Sequence, residues 1–204
     1  MKRMLWSRKG LTTVELLGAA LCAAIILAAL YGFYREQLFN LLLQEARTAT
    51  LEDARGALDI MVRELRNAGF WGTGMAPAGC KRIVTATPTL IRIQADLDGN
   101  GDCSSAVGDD VTYDLSNGTP TCPGSIIRRN GNCLVANVVV SSGEPLFTYF
   151  DIADTQLPGN PPLDAVKRIR IAFSVQVPEP TPQGKKSGRT IRSTLSSSVE
   201  FRNS

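Results

Sequence analysis

The sequence predicts an α+β protein: one long N-terminal helix, membrane-spanning and then amphipathic, packed on an antiparallel β-sheet domain. Three observations carry this. Leu11 to Tyr34 is a run of 24 residues whose only charge is Glu15, long enough to cross a bilayer as a helix. Beyond it, apolar residues recur at steps of three and four as far as Ala68, the spacing of one buried helix face. From Lys81 onward the period shortens to two, that of half-buried strands. A chain of 204 residues can bury one good core, so one domain is expected beyond the anchor.

Residues 1–10 hold Lys2, Arg3, Arg8 and Lys9 and nothing acidic. A basic segment of this kind stays cytoplasmic, which places the C-terminal domain in the periplasm. A secretory signal would end its apolar stretch at a small-residue site. Here Gly10 precedes the apolar run instead. Cleavage after Gly10 would discard the leader, keep the helix and create an α-amine on Leu11. A charged Glu15 in lipid costs about 2.5–3.5 kcal/mol and calls for a partner. Leu11 lies roughly one helical turn away, so its amine suits, from the same chain or from a neighbour stacked with an axial offset. A plain single-pass anchor with an incidental Glu is the alternative.

These residues resemble the class III signal of type IV prepilins and type II secretion pseudopilins. That pattern is a short basic leader, Gly, an apolar residue, and Glu at the fifth mature position. Gly10, Leu11 and Glu15 fall on those positions, with Leu11 where Phe is usual. The resemblance implies a type IV pilin-like fold, cleavage between Gly10 and Leu11 by a prepilin peptidase, and N-methylation of Leu11. It also implies packing of the helix in a filament core, with Glu15 directing assembly. Gly32 lies where many major pilins carry a helix-breaking Pro, which points away from the bulk subunit.

The chain then divides into a leader (1–10), a membrane or filament-core helix (11–34), an amphipathic continuation (35–69) and a periplasmic β-rich domain (70–204). Arg35 and Glu36 mark the exit from the apolar run. Leu51, Ala54, Leu58, Met61, Leu65 and Ala68 form the inner face of the continuation, and Asn67-Ala68-Gly69 is its stop signal. The segment from Leu58 to Phe70 is similar to the helix end of PilW-type minor pilins and J-type minor pseudopilins. Alternation predicts strands at 90–94, 111–115, 146–150, 169–177 and 191–201, and a hairpin from Ile126 to Val140 turning at Asn130-Gly131. One sheet laid on the helix face would bury both. Pro178 to Gly188 is expected as a solvated loop.

Composition excludes some chemistry. The chain has no His, so His-based triads, acid–base catalysis and His zinc sites are absent. Removing Lys2, Arg3, Arg8 and Lys9 from the 22 basic residues leaves 18 against 19 acidic ones, net −1. Nucleic acid is therefore not an expected partner, and Arg128-Arg129 and Lys185-Lys186 are expected as solvated charges. Cys22 sits in the apolar run. Cys80, Cys103, Cys122 and Cys133 are an even set in an oxidising compartment, expected as two disulfides. Three connectivities exist; the turn at Asn130-Gly131 favours Cys122 with Cys133, which leaves Cys80 with Cys103.

Asp96-Leu-Asp98-Gly-Asn100-Gly101-Asp102 matches the opening of a calcium loop, with side-chain oxygens at alternate positions and Gly sixth. The twelfth position is Val107 rather than a bidentate Glu. A polar connection built on Asx-turns is the other reading. No cofactor is required by any motif.

The function expected from the resemblance is a minor pilin, a non-enzymatic subunit that helps initiate a type IV pilus, at its tip. Its partners would be other minor pilins, the major pilin, the prepilin peptidase and the inner-membrane assembly platform. It would sit in the inner membrane first and in the filament afterwards. A minor pseudopilin of type II secretion is the near alternative, and a membrane-tethered periplasmic enzyme the remote one.

Overall fold

Helix α1 spans Thr13–Asn67, 55 residues, or about 82 Å at 1.5 Å per residue. The computed structural model describes residues 12–72, 74–103, 108–140, 143–180 and 186–202. No Pro interrupts α1, so its hydrogen-bond ladder has no missing donor. It ends where Ala68 leaves helical geometry and Gly69 takes φ 74°. Gly69 does more than stop the helix. Its N–H donates to the Gln94 carbonyl at 2.9 Å, so the turn is bonded directly to a strand.

Among the described residues nine strands follow: β1 (Ile83–Ala86), β2 (Leu90–Gln94), β3 (Asp110–Thr119), β4 (Cys122–Arg129), β5 (Asn132–Val135), β6 (Val138–Val139), β7 (Phe147–Phe150), β8 (Arg168–Pro180) and β9 (Lys186–Glu200). They make two antiparallel sheets, not the single one expected. The first is a meander in the order β1-β2-β3-β4-β5. In the second, β8 is central, with β6 and β7 along one edge and β9 along the other.

The division has a local cause. The expected strand from Cys133 to Val140 is broken at Asn137, whose φ is 54°. The left-handed turn swings the chain out of the first sheet into the second. Asn137 stays bonded to both: its N–H donates to the Pro123 carbonyl at 3.2 Å, and its carbonyl accepts from Gln176 at 2.9 Å. Gly124 of β4 lies so close that a Cβ there would meet the Asn137 Oδ1 at 2.9 Å.

Of the expected loop from Pro178 to Gly188, residues 178–180 and 186–188 belong to strands, and 181–185 lie outside the described residues. Pro178 pairs with Thr190, and Pro180 with Lys186, so β8 and β9 form one long hairpin. Pro at a strand end costs little ladder. Strand β1 carries only two buried residues, Ile83 and Ala86, too short an alternation to stand out in sequence.

The core lies between α1 and both sheets. Ala54, Leu58, Met61 and Leu65 meet Ile91, Val111, Tyr113 and Ile127 of the first sheet and Phe147, Ile169, Ile171 and Phe173 of the second in one buried cluster. Met61 and Leu65 are fully buried, each worth about 1.5–3 kcal/mol. A part-exposed ion pair contributes about 1 kcal/mol or less. Apolar contact therefore holds the helix to the domain.

The Gly69 turn makes a test. A Cβ at Gly69 would meet the Arg82 side chain at 2.8 Å, and the positive φ disfavours any L side chain. Gly69→Ala should lower unfolding stability by about 1–2 kcal/mol, measured by urea unfolding of the detergent-solubilised chain.

Candidate functional site

The N-terminus of α1 is fixed by a reciprocal cap. Thr12 is the N-cap, and its Oγ1 accepts from the Glu15 N–H at 3.3 Å. Glu15 reaches back, its Oε2 accepting the Thr12 N–H at 2.9 Å and the Thr12 hydroxyl at 3.0 Å. This S/T-x-x-E box satisfies donors that a helix start leaves open. Thr12 is thus a partner of Glu15 besides the expected Leu11, and the Thr-x-x-Glu spacing is its signature in the sequence. Gly10 and Leu11 lie outside the described residues. Both bonds from Thr12 end on Oε2, so among the described residues Oε1 is left open to a cation.

The helix behind this cap is unpacked. Every residue from Thr12 to Leu38 is exposed, Leu17 at 72% and Leu21 at 66%. A stretch of it has mean hydropathy 2.3 with none of its surface buried, and α1 is long and apolar enough to cross a membrane. Cys22 is a free, exposed thiol in this stretch.

Further along, α1 is tied to the first sheet by a polar cluster that the sequence did not reveal. Glu64 accepts from Arg129 Nη2 on Oε1 at 2.7 Å and from Nε on Oε2 at 3.0 Å. The Tyr113 hydroxyl donates to Glu64 Oε2. Burial, reinforced by the Glu64 carboxylate, pushes the Tyr113 phenol far above its ordinary range, so it stays a donor. Arg128 pairs with Asp114, its Nε at 2.9 Å. Arg128 and Arg129 are thus paired across strands and to the helix rather than solvated, because both lie on β4 between acidic neighbours on β3 and α1. Lys185 lies outside the described residues.

The structure joins Cys80 to Cys103 and Cys122 to Cys133, with Cα separations of 6.0 and 6.5 Å. The second closes the end of β4 on β5. The first ties the segment after the helix to the Asp-rich loop.

In that loop the Asp96 carboxylate and the Asn100 side-chain oxygen face backbone N–H groups. Asp96 is fully buried and accepts from the N–H groups of Asn100 and Gly101, each at 3.1 Å. Asp98 accepts from the Asn100 side chain at 2.9 Å, and Asn100 from the Asp102 N–H at 2.7 Å. Buried Asp109 accepts from the Leu97 N–H at 3.0 Å. The loop is closed by Asx-type bonds, with which an entering cation would compete. Among the described residues no three His, Cys, Asp or Glu side chains form a group that could hold a metal ion. Val107 lies outside the described residues. Beside the loop, Asp110 is held below the usual carboxylate range by its bonds from Arg92.

Comparison of the chain with known protein families, curated proteins and solved structures finds no match.

Two measurements follow from the polar clusters. Glu64→Ala strands a half-buried guanidinium and a buried hydroxyl, so stability should fall by about 1–3 kcal/mol; Glu64→Gln, which keeps an acceptor, should cost less. Urea unfolding reads both. The depressed Asp110 carboxyl adds stability that is present above the unfolded-state value near 3.9 and is lost as pH falls through its lower folded value. Asp110→Asn should therefore flatten part of the acid limb of the stability–pH curve.

Proposed function

We propose that this chain is a minor pilin, a non-catalytic subunit that enters the assembly of a type IV pilus. The observation that supports it most is one continuous helix with two different surroundings. Its first half is apolar and bare behind a cap built on Glu15, and its second half is the core of an exported, disulfide-closed domain. A bare apolar half-helix suits either lipid or a bundle of like helices. Transfer from one to the other needs no refolding of the domain. The PilW-like helix end supports the finer assignment.

In this reading prepilin peptidase cuts after Gly10, Leu11 becomes N-methylated, and the inner-membrane assembly platform brings the helix to the other minor pilins and the major pilin. Glu15 then sets axial register. In the single chain its carboxylate is occupied by Thr12, which lowers the cost of keeping it in lipid. In the filament a neighbour's α-amine meets the remaining oxygen. The cap therefore serves as the waiting state of the docking charge.

Two variants test this. Gly10→Val should leave the precursor uncut, seen by mass spectrometry of the intact chain. Glu15→Leu should insert and fold normally yet fail to co-purify with sheared filaments, in a strain lacking the native copy. Incorporation at the wild-type level and equal membrane abundance would overturn the mechanism. Recovery of the native chain with a secretion complex instead of pili would replace the minor pilin with a minor pseudopilin.

A further inference from the structure

Where α1 ends, two apolar side chains stand in the open. Phe70 is 44% exposed and Leu97 45%. With Arg66, Asn67 and Arg202 they line a hollow of about 240 Å³. Phe70 also borders a second hollow, of about 290 Å³, with Gly69, Trp71 and Gly74. A Phe on a free loop gains by folding back onto the core. This one is prevented from doing so.

The backbone holds both side chains out. The Phe70 N–H donates to the Asn67 carbonyl at 2.9 Å, and the Phe70 carbonyl accepts from the Asp96 N–H at 2.8 Å. Leu97 is fixed through its N–H, which donates to the buried Asp109 carboxylate at 3.0 Å. The Cys80–Cys103 disulfide ties the segment after the helix to the same loop. A surface ordered before contact loses little freedom on binding. Aromatic residues and Arg around an apolar floor are the composition of binding surfaces.

The guanidiniums of this hollow are unpaired. Elsewhere Arg92, Arg128, Arg129 and Arg168 face Asp110, Asp114, Glu64 and Asp154. Arg66 and Arg202 have no acidic partner among the described residues, and no described acidic side chain lines the hollow with them. A cation in the last turn of α1 suits the helix dipole, which accounts for Arg66. It accounts neither for Arg202, which arrives from beyond β9, nor for the exposed Phe70 and Leu97.

We propose that this hollow docks a segment of a partner protein in which an apolar side chain lies between carboxylates. The apolar side chain packs on Phe70 and Leu97, and Arg66 and Arg202 take the carboxylates. Unpaired cations beside an apolar floor have that pattern as their electrostatic complement. The hollow is at the opposite end of the 55-residue helix from Glu15, so a partner held here leaves the apolar half-helix free. The inference goes beyond the minor-pilin reading and does not depend on it.

Trp71, next to Phe70, reports on the hollow, and the chain has one other Trp, Trp6. The test is Trp71 fluorescence of the detergent-solubilised full chain carrying Trp6→Phe, titrated with two end-blocked pentapeptides. One has leucine between glutamates, the other leucine between glutamines. The glutamate peptide should shift the emission saturably at millimolar concentration or below. The glutamine peptide should bind on the order of tenfold more weakly. Arg66→Gln combined with Arg202→Gln should reduce the glutamate peptide to the glutamine level, and Leu97→Ser should weaken both. Salt at about 1 M should also level the two peptides, an arm that needs neither Arg variant. Equal binding of the two peptides at low salt, or binding of neither, would overturn the proposal. So would an emission shift on concentrating the chain without peptide, which would assign the hollow to a second copy.

Discussion

Everything in this molecule depends on one helix remaining unbroken while its surroundings change. The first half of α1 is bare and apolar enough to cross a membrane; the second half presents a stripe to two sheets. A kink or a break would uncouple the two. The chain keeps continuity by having no Pro within α1 and by closing both helix ends: Thr12 and Glu15 at the start, Gly69 bonded to Gln94 at the finish. Between those ends the energetic weight is carried by Met61 and Leu65 and their apolar partners, while Glu64, Arg129 and Tyr113 fix the angle at which the first sheet meets the helix. Burial is non-directional, so a bonded cluster of this geometry supplies what packing alone does not.

Most of the architecture was legible because its signals are long. A 24-residue apolar run, followed by a stripe at helical spacing and then by alternation, leaves few other folds. Strand β8 was plain because Ile169, Ile171, Phe173, Val175 and Val177 alternate without interruption. The division into two sheets was hidden, since it turns on a single backbone angle at Asn137, and no alternation of apolar residues records a φ value. The ladder at Pro178 to Pro180 was hidden for a related reason. Its Pro and Gly residues look like a loop, yet the ladder to β9 persists as far as Pro180.

The site was legible in part. Glu15 stood out as a charge where lipid should be, but its partner inside the chain was two atoms of Thr12, a short-range bond easily overlooked beside the larger question of where an amine comes from. The Arg128-Arg129 pair shows the limit more sharply. Neighbouring positive charges in a strand look solvated until the strand is placed. On alternate faces of β4, one meets Asp114 on β3 and the other meets Glu64 across 65 residues of chain. Long-range pairing of that kind has no local signature.

Asn137 carries a thermodynamic meaning beyond its shape. One peptide unit on either side of its Cα donates to one sheet and accepts from the other, and Gly124 is small so that this crossing can be close. The two sheets cannot part from each other at this point without breaking one of those two bonds. The domain therefore has no obvious seam along which it could open by halves. Its two sheets belong to one cooperative unit, even though hydrogen bonding within each ladder would allow them to behave as two.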